Sequence, residues 1–127
     1  MKLVHARGFT LMELMVVMAI IASLMTLALP RYFHSVDRSR EAVLRQDLHI
    51  MRDAIDKFLA DRGRYPATLD ELAEKRYLRK VPPDPITESV SSWLVVPPPE
   101  GDGRGGVYDV RSGAPGKSLD GETYENW

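Results

Sequence analysis

Residues 9–29 are apolar at almost every position, and the one charge among them is the carboxylate of Glu13. From Leu14 to Leu29 there is no charge, and the only hydroxyls are Ser23 and Thr26. Wound as a helix, the run is about 31 Å long at 1.5 Å per residue, which matches a hydrocarbon core of about 30 Å. A soluble helix that is apolar all round needs cover on every side, and the rest of a 127-residue chain is too small to provide it. The run is not followed by the small-residue cleavage pattern of a secretory signal, because it ends Leu29-Pro30-Arg31-Tyr32-Phe33. It therefore reads as a single membrane-spanning segment. Lys2 and Arg7 before it place the N-terminus on the cytoplasmic side.

Pro30 removes one backbone donor and strands the carbonyl of Thr26, but a helix can continue past it with a kink. A helical pattern does resume, as Leu44, Leu48, Met51, Ile55 and Phe58 recur at steps of four and three. Glu41 with Arg45, and Asp53 with Lys57, are acid-before-base pairs four apart. Every carboxylate of this segment has a basic neighbour, so the acids read as a solvated face. With Gly63 as the stop, one long helix is expected over about 9–61. Thr68 and Glu71 form a capping box that opens a short helix over about 69–75. The apolar, β-branched stretch 91–97 and the alternating stretch 106–113 read as two strands flanking the turn Gly101–Gly106. The expected fold is α+β: a long N-terminal helix against a small antiparallel sheet. Such a sheet is marginal alone and must lean on the Leu44–Phe58 stripe, with Trp93, Val95, Val107 and Tyr108 as its core side.

Glu13 still needs a reason. A lone charge at the centre of a membrane helix costs at least about 2.5–3.5 kcal/mol. Gly8 ends a basic octapeptide, and a cut after it would leave Phe9 with a free α-amine. Glu13 then sits in the first turn, where the helix dipole favours negative charge. It is also placed to pair with an ammonium, either its own or that of a neighbouring copy packed one step along the axis. Such a carboxylate acts as a register device.

The segment "RGFTLMELMVVMAIIA" resembles the class III signal of type IV pilins and type II secretion pseudopilins: basic leader, Gly, Phe, then Thr-Leu-x-Glu-Leu and an apolar helix. Further along, "RGRYP", "YLRKVPPDP", "GVYDVRSGAPG" and the terminal "ENW" are similar, in order and spacing, to the G-type major pseudopilins of type II secretion. The resemblance implies cleavage between Gly8 and Phe9 by a prepilin peptidase and N-methylation of Phe9. It implies that Glu13 engages a neighbour's N-terminal amine, and that the helix melts locally at Pro30 in the filament. The chain then divides into a leader (1–8), a transmembrane and assembly helix (9–30) and a periplasmic globular part (31–127). The implied role is that of a structural subunit of a helical fibre anchored in the bacterial inner membrane. Its implied partners are further copies of itself, minor pseudopilins, an inner-membrane assembly platform and lipid, and fibre growth would drive protein export. A minor type IV pilin and a DNA-capturing competence pseudopilin are the alternative readings.

Cysteine is absent, which speaks against the type IVa major pilins, whose C-terminal loop is closed by a disulfide. G-type pseudopilins instead hold that loop with calcium through several Asp residues. Here the corresponding positions fall on Pro115, Glu122 and Thr123, so Asp120 and Glu122 are the candidate calcium ligands. Calcium wants six to eight oxygens, and Asp120-Gly121 is equally a common turn pair. An enzyme is not indicated: His5, His34 and His49 are scattered, and the glycine-rich 101–106 stretch reads as a hairpin turn rather than a phosphate loop. A net charge of −1 excludes a generally basic nucleic-acid binder. The basic segment Lys75, Arg76, Arg79 and Lys80 is expected to stay wet while Tyr77 and Leu78 turn inward.

Overall fold

The computed structural model describes residues 6–127; Lys2 and His5, with the rest of positions 1–5, lie outside the described residues. The elements are α1 (Leu11–Arg62), α2 (Leu69–Glu74), β1 (Trp93–Val96), β2 (Asp109–Ser112) and a terminal 3-10 turn, Tyr124–Asn126. Two compact units result, Met1–Val36 and Asp37–Trp127. α1 contributes residues to both.

In the first unit every described residue from 6 to 35 is exposed. The helix opens two residues later than the apolar run because Thr10 takes the cap position. Its hydroxyl accepts the Glu13 amide at 3.1 Å, and its carbonyl accepts Leu14 N–H at 3.1 Å. α1 runs through Pro30 unbroken. Ahead of the proline, Ser23 and Thr26 donate their hydroxyls to the carbonyls of Ala19 and Ala22, both at 2.9 Å. Both polar side chains are thus satisfied inside their own helix, as a hydrocarbon surrounding demands. Among the described residues α1 is the one helix long and apolar enough to cross a membrane.

In the second unit the expected stripe is the core: Leu44, Leu48, Met51, Ile55 and Phe58 are all buried. α1 ends at Arg62, and Gly63, at φ +69°, donates to Leu59 O at 2.8 Å. α2 is capped as its sequence predicts, with Glu71 N–H donating to the Thr68 hydroxyl at 3.2 Å. The Glu71 carboxylate returns to the amide of Ala67 at 2.6 Å, one residue before the cap. β1 and β2 pair antiparallel, with Trp93 opposite Ser112 and Val95 opposite Val110. Both strands are shorter than the predicted stretches. Trp93 and Val107 lie in the core as expected, joined by Val110.

Val95 and Tyr108 do not. Val95 is 49% exposed although it shares a groove with Leu69, Trp93 and Val107, because a sheet of two strands leaves no element to lie over it. Tyr108 is 44% exposed and touches Tyr65 edge-on. Val107 precedes the strand, so the inward parity begins anew at Val110 and Tyr108 falls on the outer side. The proline-rich connection is built around Asp84, which is fully buried. Its carboxylate accepts Ile86 N–H at 2.8 Å and the Ser112 hydroxyl at 2.5 Å, tying the 82–89 turn to β2.

Candidate functional site

The N-terminal residues of interest sit together at the opening of α1. Phe9 is 86% exposed, Thr10 caps the helix, and Glu13 lies in its first turn. No ion pair or side-chain hydrogen bond reaches the Glu13 carboxylate among the described residues. The dipole of the first turn is what faces it. A Cβ added at Gly8 would meet nothing within 4 Å, so no contact in this structure demands glycine there. Pro30 lies some five turns further along the same helix, inside the exposed apolar stretch.

The candidate calcium ligands Asp120 and Glu122 lie in the C-terminal loop. Asp120 lies 3.7 Å from the guanidinium of Arg45, and its side chain is 81% exposed. Glu122 lines an open cavity of about 340 Å³ with Arg45, His49, Arg52 and Trp127, a surrounding rich in cations. The main-chain carbonyl of Glu122 accepts Ser118 N–H at 2.7 Å. Among the described residues no group of three or more His, Asp or Glu side chains gathers to hold a metal. Asp120 lies beside an arginine, and calcium would need further oxygens from main-chain carbonyls or water to reach its six to eight ligands.

What holds this loop is Glu41, which the sequence reading assigned to a solvated face beside Arg45. That assignment is corrected: Glu41 is 4% exposed and does not pair with Arg45. Its Oε1 accepts the amide of Leu119 at 2.8 Å and the hydroxyl of Tyr124 at 3.0 Å. Burial, and then the Glu41 carboxylate, push the Tyr124 phenol up to about 12. Arg45, released from Glu41, lies over the Trp127 ring at 4.2 Å. The second expected pair does form, with Lys57 and Asp53 at 2.8 Å. A signal for Glu41 was present: stepping back three from Leu44 continues the buried stripe to position 41.

Lys75, Arg76, Arg79 and Lys80 are exposed, while Leu78 is buried and Tyr77 packs on Phe58 and donates to Asp61 at 2.8 Å. The basic segment thus has the wet cations and inward side chains expected of it.

Comparison with known proteins bears on both ends of the chain. The prokaryotic N-terminal methylation motif matches residues 4–29. Type II secretion system core protein G of Dickeya chrysanthemi is 30% identical over 125 residues, covering 86% of this chain and 77% of that protein. Its namesake in Escherichia coli K12 is 28% identical over 138 residues, covering 95% of this chain and 90% of that protein. A type IV major pilin of Myxococcus xanthus is 35% identical over 66 residues, but these cover only 52% of this chain and 30% of the pilin. No solved structure matches.

Proposed function

This chain belongs to the type II secretion system core protein G family, whose members are structural pseudopilus subunits, and we propose from that premise that Glu13 sets the axial step of its fibre. Prepilin peptidase would hydrolyse the Gly8–Phe9 bond, leaving the leader with a carboxylate and Phe9 with an amine. That amine, methylated, stays cationic. In the membrane the exposed helix 9–29 would be covered by lipid, with the N-terminus cytoplasmic and residues 31–127 periplasmic. In the fibre it would be covered by the same helix of other copies.

The observation that carries the reading is the Glu13 carboxylate: exposed, in the first turn, and without a side-chain partner among the described residues. In hydrocarbon an unpaired charge is costly, so an arriving copy that presents its Phe9 ammonium there is favoured over one docked at any other offset. Extraction from the bilayer is uphill until neighbours cover the apolar surface, so assembly would draw on a platform and an external motor, with minor pseudopilins as further partners. Growth of the fibre would then push exported proteins outward. At Pro30, the stranded Thr26 carbonyl makes that turn the easiest part of the helix to melt during packing.

The test is electron microscopy of fibres from cells overproducing the chain, beside its Glu13→Ala variant. The variant is expected to remain in the membrane fraction and to form no fibres. Normal fibres from it, or mature protein whose mass still includes residues 1–8, would overturn the proposal.

A further inference from the structure

The C-terminal loop makes two sorts of bond. Its internal ones are local: Ser118 N–H to Glu122 O at 2.7 Å, Gly121 N–H to Ser118 O at 2.9 Å, and a bridge between Lys117 and Thr123. These close a turn without attaching it to anything. Polar attachment comes from α1, through Glu41, Arg45 and Arg52, and from β2, where the exposed Arg111 donates to Glu125 O at 3.3 Å. Arg45 and Asp120 are both largely exposed at 3.7 Å, a geometry that contributes little. Arg52 holds the chain end, donating to Trp127 O at 2.7 Å. Among the described residues only Glu41 reaches the loop itself from a buried position, and its contacts bridge 78 and 83 positions of sequence.

We propose that Glu41 is the fastener of this loop: a buried protein carboxylate takes the place that a metal ion would otherwise fill, and residues 115–124 dock on α1 without calcium. A metal draws several carboxylates to one point. Here Glu41, the buried carboxylate that meets the loop, already accepts an N–H and an O–H, and Asp120 lies beside Arg45. The cavity of about 240 Å³ beside Glu41 is lined by Arg40 and Lys117 as well as Asp37, so its lining carries two cations beside two anions. Charge-assisted hydrogen bonds of this kind are stronger than neutral ones, and a buried acceptor without its donors is costly. The fastener therefore selects one docked position of the loop. This inference does not rest on the fibre reading, because it concerns the folding of the loop and not the assembly of subunits.

The test is limited trypsin digestion of the full chain in detergent micelles, following the Lys117–Ser118 bond by mass spectrometry, in millimolar calcium chloride and in EGTA. Lys117 is exposed, but Ser118 is buried and its N–H is bonded to Glu122 O, so cleavage of the bond between them requires the loop to open. Wild type is expected to be cut at the same rate in both solutions. Glu41→Ala is expected to be cut about tenfold faster in both, the scale of one lost hydrogen bond to a charged acceptor. Tyr124→Phe removes one donor while keeping the carboxylate, and is expected to be cut severalfold faster; it decides the matter if Glu41→Ala does not fold. Slower cutting of wild type in calcium, or wild-type rates in both variants, would overturn the proposal.

Discussion

The guanidinium of Arg52 reaches the main-chain oxygen of Trp127 at 2.7 Å, across 75 positions of sequence. The same group donates to Asp109 at 2.9 Å and to Val110 O at 3.0 Å. One helical side chain thereby joins α1, β2 and the chain end, beside the bond that Arg111 of β2 donates to Glu125 O at 3.3 Å. Arg52→Ala is expected to lower stability by about 2 kcal/mol, since hydrogen bonds to charged groups contribute roughly 1.5–3 kcal/mol and this side chain is partly wet. Arg52→Lys should recover only part of it, because an ammonium cannot span the three acceptors as a planar fork does. Thermal unfolding of both variants checks this; equal midpoints for Arg52→Lys and wild type would contradict it.

Gly106 is held at φ +118°, and a Cβ there would lie 2.5 Å from the carbonyl oxygen of Pro66. That carbonyl also accepts Val107 N–H at 2.7 Å, so it cannot move aside without losing the bond that seats Val107 in the core. Gly106→Ala should cost on the order of 2–3 kcal/mol through strain and overlap combined. Gly103, also at positive φ but with open space around its Cβ position, is the control and should lose less. Denaturant midpoints of the two variants decide the comparison.

Glu71 contributes to the acid dependence of the second unit. Arg64, bound through both nitrogens at 2.6 and 3.2 Å, and then the Ala67 amide hold its carboxyl down at about 2. A carboxyl depressed by folding contributes stability that is complete above its ordinary value of 4.5. That contribution is lost as the pH falls toward about 2. Glu71→Gln should therefore flatten the stability profile between those limits. A carbon-detected titration giving Glu71 its ordinary midpoint would contradict this.

Tyr124 governs the alkaline side with the opposite sign. Its phenol, raised to about 12 from 10.0, favours folding below its ordinary value, and that contribution fades as the pH rises through about 12. Spectroscopic titration of phenolate should show a component at about 12 that Tyr124→Phe removes, while the upward shift of Tyr65, caused first by burial, remains. Loss of no late component in that variant would refute the assignment.

Ser118 is buried, and its hydroxyl has no hydrogen-bond partner among the described residues. Removing a buried unsatisfied polar group relieves its desolvation cost, so Ser118→Ala should raise stability by about 1 kcal/mol. A fall in the unfolding midpoint would show that the hydroxyl is bound to something the chain itself does not supply.

Much of this protein is written in short-range pattern. The membrane-length helix, the 44–58 stripe and the Thr68–Glu71 cap all follow from periodicity and spacing. Each depends on residues a few positions apart, so the physics that shapes it is contained in the local sequence. The N-terminal methylation motif over residues 4–29 was legible for the same reason. The partner of Glu41 was not. A carboxylate four residues before an arginine satisfies the rule for a wet helical pair, and only the return of residues 119 and 124 to that face of α1 decides that it is buried instead. The exposure of Val95 and Tyr108 is a matter of the same kind, because alternation says which side a strand residue takes and not whether anything covers that side. Local sequence therefore determined the elements and the membrane end. The tertiary structure decided which charges are inside, because burial of a polar group depends on donors that arrive from distant parts of the chain.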